Sequence, residues 1–110
     1  MKIALPVVDN KLCTHFGHCE KFAILDIQDN KIASKALVVP PPHEPGVLPR
    51  WLGEMDVNVI IAGGMGQRAL TLFAERGIKV ITGAPVSSPE ELVQQYLSNS
   101  LVSGLNVCDH

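Results

Sequence analysis

The chain has 110 residues, 46% of them hydrophobic, and nine basic against eleven acidic side chains give a net charge of −2. That is enough apolar material for one packed domain over residues 1–110, and no basic run offers nucleic acid an electrostatic footprint. No apolar stretch approaches the roughly 18 residues of a membrane-spanning helix. Lys2 comes too soon for a secretory leader, and an odd count of three cysteines fits a disulfide framework poorly, so a cytoplasmic protein with reduced thiols is expected.

Residues 2–8 are apolar and β-branched and end at Asp9-Asn10, which predicts a buried first strand. Residues 11–20 read as a loop. Phe22 to Ile27 forms a second strand, Asp29-Asn30 a hairpin turn, and Ile32 to Val39 a third strand antiparallel to the second. Pro40-Pro41-Pro42 stops that strand, because proline has no N–H to give a ladder. A loop to Gly46 follows, then a helix over Val47 to Met55 with Pro49 in its first turn and Trp51 and Leu52 as anchors.

Val57 to Ala62 is a fourth strand, and Gly63-Gly64-Met65-Gly66 turns it into a helix over Gln67 to Glu75 that Gly77 caps. Lys79 to Thr82 makes a fifth strand. Ser87 or Ser88 caps a last helix, Pro89 to Leu97, with Glu90 and Glu91 at its positive end. Residues 98–110 are a polar tail. The crossovers around the later helices demand parallel strands with helices on the faces. The expected fold is therefore three-layer α/β/α with a five-stranded mixed sheet, strand order 3-2-1-4-5 and strand 2 antiparallel. This resembles the ribonuclease-H-like arrangement, although Asp26 is the one acid well placed inside a strand, so that fold's catalytic carboxylates have no counterpart.

All three cysteines and all four histidines are candidate ligands: Cys13, His15, His18, Cys19, His43, Cys108 and His110. Six of them crowd Cys13-Thr-His-Phe-Gly-His-Cys19 and the terminal Cys108-Asp-His110. Thiolate with imidazole favours Zn²⁺, Cu(I) or iron–sulfur sites over Mg²⁺ or Ca²⁺. The spacing matches no zinc-finger pattern, so density carries the argument. In a parallel sheet, sites gather at the carboxyl ends of strands. The loops after strands one, three and four should converge there, carrying Cys13, His15, His18, Cys19, His43 and the glycine turn. A buried cysteine can also be merely a small hydrophobe, and terminal residues such as Cys108 and His110 are often frayed.

Gly64-Met65-Gly66-Gln67-Arg68-Ala69 matches the G-x-G-x-x-G/A dinucleotide pattern after a strand and before a helix. It follows the fourth strand, not the first, and no acid closes the next strand to meet a ribose hydroxyl. Gly63, Gly64, Met65, Gly66 and Arg68 remain candidates for an anionic ligand at a helix start. Gly64 or Gly66 is expected to take a positive φ or to let backbone approach the ligand closely.

The chain resembles the dinitrogenase iron–molybdenum cofactor biosynthesis family. The likeness runs through Met1-Lys2-Ile3-Ala4, His15-Phe16-Gly17-His18-Cys19 to Phe22, and His43-Glu44-Pro45-Gly46 with Trp51-Leu52. Ile61-Ala62-Gly63-Gly64-Met65-Gly66 with Ala69, then Gly77-Ile78-Lys79-Val80 and Gly83, complete it. The resemblance implies transient binding and carriage of an iron–sulfur or iron–molybdenum cluster or its precursor, with zinc as another cargo. It implies no substrate turnover. Cluster donor and acceptor proteins are the implied partners, with a homo-oligomer also open and neither nucleic acid nor membrane among them. The likeness points at His15, Cys19 and His43 and at the glycine turn; Cys13, Cys108 and His110 match only some relatives. The alternatives are a nucleotide- or anion-binding regulatory module on the 63–66 turn and a thiol redox protein, which ranks last because there is no C-x-x-C.

Overall fold

The computed structural model describes residues 1–13, 19–42 and 46–101. The strands are β1 (Lys2–Val8), β2 (Lys11–Leu12), β3 (Lys21–Gln28), β4 (Lys31–Val38), β5 (Val59–Ile61) and β6 (Lys79–Ile81), and the helices are α1 (Val47–Glu54), α2 (Gln67–Glu75) and α3 (Pro89–Leu97). Together they form one mixed sheet in the order β4-β3-β1-β5-β6, with β2 paired to β1 off that path. The sheet has six strands where the sequence suggested five. Because β2 enters the numbering, the observed path carries different labels from the expected 3-2-1-4-5. β3 runs antiparallel to both β1 and β4, whereas β1–β5 and β5–β6 are parallel.

β1 explains the layering. Its run of apolar residues is buried on both faces, as a central strand's should be. Ile3, Leu5 and Val7 face a core that α3 closes with Leu92 and Val93. Ala4 faces the other core, which α1 and α2 close with Leu48, Leu52 and Phe73. Trp51 meets Phe22 edge-on at 5.6 Å in that second core.

Local chemistry sets the element ends. Asp29 and Asn30 both have positive φ, 52° and 62°, the backbone of a two-residue hairpin whose twist suits the flanking strands. Asp9 and Asn10 do the same at 53° and 61°. The expected loop over 11–20 therefore opens as a hairpin, with β2 returning along β1. All three helices end alike. Gly77 donates to the Ala74 carbonyl and Ile78 to that of Phe73, both at 3.0 Å, which is the two-bond Schellman closure. Asp56 and Asn99 take the same left-handed position after α1 and α3. Ser88 is the residue that caps α3, its side chain accepting from the Glu91 N–H at 3.3 Å. Among the described residues no helix is long and apolar enough to cross a membrane.

Candidate metal-binding site

Val7 fixes the geometry of the site. It pairs with Leu12 of β2 on one edge and with Lys21 of β3 on the other. Leu12 and Lys21 are therefore two strand spacings apart, about 10 Å, across β1. Cys13 follows Leu12, and its N–H donates to the Pro6 carbonyl at 2.8 Å. Cys19 precedes Glu20, whose N–H donates to the Val7 carbonyl at 3.2 Å. The two cysteines thus flank the carboxyl end of β1 from opposite edges.

They also share a face. Cys19 packs against the core that α1 and α2 cover. The Leu12 side chain lies in the opposite core, so strand alternation puts Cys13 on the same face as Cys19. Both are half-buried thiols and are not joined in a disulfide. Burial, and after it the charge of Cys13, pushes the Cys19 thiol up from 9.0 to about 11. A thiol in that state stays protonated at neutral pH until a cation replaces the proton.

The glycine turn sits at the same end of the sheet, following β5, the parallel neighbour of β1. The Gly63 carbonyl accepts from the Gly83 N–H at 2.8 Å. Gly63, Gly64 and Met65 are buried, Gly66 is half-buried and Arg68 is exposed. Met65 belongs to the core cluster against which Cys19 packs. Neither Gly64 nor Gly66 has the positive φ expected of it; Gly66 is extended at φ −66°, ψ 154°.

His15, His18, His43, Cys108 and His110 lie outside the described residues. Among the described residues no three His, Cys, Asp or Glu side chains gather closely enough to hold a metal ion. Of the seven candidate ligands, the described residues include Cys13 and Cys19, which lie at one end of the sheet on opposite edges of β1. Sequence reasoning missed one contact: Glu20 Oε1 accepts from the Asp9 N–H at 3.4 Å, tying the first hairpin turn to the residue beside Cys19. No sequence pattern marks it, because the two are joined only by sheet register.

The sequence profile described as dinitrogenase iron–molybdenum cofactor matches residues 1–99. The chain belongs to that family. The match to the dinitrogenase iron–molybdenum cofactor family spans both cysteine arms and the glycine turn and ends before Cys108 and His110. An uncharacterized protein of Methanocaldococcus jannaschii is 36% identical over 106 residues, covering 92% of this chain and 89% of that one. Among solved structures, the crystal structure of PH0822 superposes with a TM-score of 0.86 at 25% identity, covering 94% of each chain. The apo form of the orange protein of Desulfovibrio gigas gives 0.76 at 20% identity, covering 96% of this chain and 93% of that one, and shares the fold.

Proposed function

We propose that this protein binds and carries an iron–sulfur or iron–molybdenum type cluster, or a precursor of one, as an accessory factor in cluster assembly. One observation carries the reading: Cys13 and Cys19 flank the carboxyl end of β1 on one sheet face, beside the turn that follows β5. Membership of the dinitrogenase iron–molybdenum cofactor family supports it. His15, His18, His43, Cys108 and His110 are the proposed further donors, and Gly63, Gly64, Met65, Gly66 and Arg68 line the anionic side of the cargo. The protein acts without turnover, receives its cluster from a donor protein and passes it to an acceptor. It works as a single domain in the cytoplasm, where its thiols stay reduced. We also propose that the fold is of the ribonuclease-H-like kind, a reading that the helices on both faces of the mixed sheet support.

The test is anaerobic reconstitution with iron, sulfide and molybdate, followed by metal analysis and visible absorbance. The parent should become coloured, and Cys13→Ser or Cys19→Ser should retain about tenfold less metal, because a ligand bond is lost in a substitution that hardly changes side-chain volume. Equal metal in parent and variants would overturn the assignment of these cysteines.

A further inference from the structure

β2 has only two residues, too few for a hairpin to hold itself. Yet β2 delivers Cys13, so its restraint must come from outside. On its free edge the Leu12 N–H donates to the Ser87 carbonyl at 2.9 Å, just ahead of α3. At its turn, Asn10 Oδ1 accepts from the Lys35 ammonium at 2.9 Å. The same ammonium donates to Glu90 Oε2 at 3.0 Å. Glu90 lies in the first turn of α3, where backbone N–H bonding, with the Lys35 hydrogen bond adding to it, holds its carboxyl below the usual range. Lys35 therefore joins three elements that are distant in sequence: the β1–β2 turn, β4 and the start of α3.

We infer that Lys35 is a positioning residue for the cysteine site, holding the Asp9–Asn10 turn against α3 and thereby setting β2 and Cys13 relative to Cys19. A partly exposed ion pair contributes little to stability. A strut between β4 and α3 would need Glu90 alone; the branch to Asn10 adds nothing to it except a fixed turn. Asn10 points the same way. A two-residue turn of this kind accepts glycine at its second position, and at a φ of 61° an asparagine contributes a side-chain carbonyl that glycine cannot. The hairpin restraint stands on its own contacts. Its consequence for cargo rests on the function proposed above.

The test uses the full chain with Lys35→Met, Asn10→Gly, the double variant and Lys35→Arg. Asn10→Gly keeps the turn and removes only the acceptor, so it folds even if loss of the lysine is disruptive. The metal-free proteins are alkylated and followed by peptide mass analysis, with Cys19 as the internal reference. Cd²⁺ titration then reads thiolate binding. Each single variant should speed alkylation of Cys13 relative to Cys19. Each should weaken Cd²⁺ binding by about tenfold, the low end for residues that support ligands. The double variant should be no worse than either single, because both break one contact, and Lys35→Arg should approach the parent. An unchanged Cys13 rate in Asn10→Gly, or two single effects that simply add, would overturn the inference. Faster Cys13 alkylation with unchanged Cd²⁺ affinity would uphold the positioning of Cys13 and overturn its role as a cargo ligand.

Discussion

Cys19 should be a sluggish thiol until a metal reaches it. Its side chain is half-buried against the α1–α2 core, so loss of water disfavours the thiolate, and charge on Cys13 adds to the penalty. Together they move the thiol from 9.0 to about 11. A shift of about two units leaves roughly 100-fold less thiolate at neutral pH. Each thiolate is in turn more nucleophilic, by about sixfold for a Brønsted slope near 0.4. Cys19 should therefore alkylate about tenfold more slowly than an ordinary exposed cysteine at pH 7, a net of these two factors. Its rate should climb tenfold per pH unit through pH 9 and level only near 11.

The assay is iodoacetamide labelling of the metal-free Cys108→Ser variant, quantified on the Cys19 peptide across a pH series. A plateau by pH 8 or 9 would refute the reasoning. Cys13→Ser should lower the midpoint only in part, because burial is the larger cause. The same proton sets two further signs. Metal recruitment of Cys19 releases it, so apparent affinity should rise about tenfold per pH unit below the thiol's midpoint. In the metal-free protein the folded state holds the proton that the unfolded chain loses near pH 9. The stability tied to Cys19 is thus complete below pH 9 and declines as the pH climbs toward 11.

Leu52→Ala should destabilise by about 3 kcal/mol in urea unfolding, since Leu52 is fully buried between α1 and the sheet. Asp56→Gly should raise stability by about 0.5 kcal/mol, because Asp56 sits at φ 62° without needing its Cβ there; a loss would show that its carboxylate does more than end α1. Ser88→Ala should cost about 1 kcal/mol, read by the same unfolding curves, through loss of the cap on Glu91.

Much of the fold was legible because its signals are local. The apolar run of β1, the Asp29-Asn30 turn and Ser88-Pro89-Glu90-Glu91 each name their own structure. The same dipeptide at Asp9-Asn10 was read only as a strand end. The strand after it is two residues long, too short for alternation to register, and the Cys/His segment that follows has no period. The left-handed ends at Asp56 and Asn99 are not legible in sequence, because Asp and Asn tolerate that backbone without marking it as Gly77 does. At the site, residue types were legible and relations were not. That Cys13 and Cys19 lie on opposite edges of β1 follows from Val7 pairing twice, and that Lys35 reaches Asn10 follows from β4 and α3 meeting. Neither fact exists until long-range register is set. The glycine turn invites an inference of positive φ or of close backbone approach to a ligand, and at Gly64 and Gly66 the backbone does not adopt the first.

The arrangement across β1 also bears on whether the two thiols form a redox pair. A disulfide needs Cα atoms about 4.4–6.8 Å apart. Leu12, next to Cys13, and Lys21, two residues after Cys19, are held about 10 Å apart by sheet pairing on both edges of Val7. Backbone hydrogen bonds from Cys13 to Pro6 and from Glu20 to Val7 restrain both cysteine segments against β1, which opposes closing a Cys13–Cys19 bond. The raised Cys19 thiol opposes it as well, since exchange proceeds through a thiolate. Diamide treatment of the metal-free Cys108→Ser variant at pH 7 should therefore give little intramolecular disulfide, measured by non-reducing peptide mapping, while urea-unfolded chain should form it readily across the five intervening residues. Rapid, quantitative closure in the folded protein would mean that the edges of β1 open easily. The two thiols would then be better read as a switch than as a fixed pair of arms for a cluster.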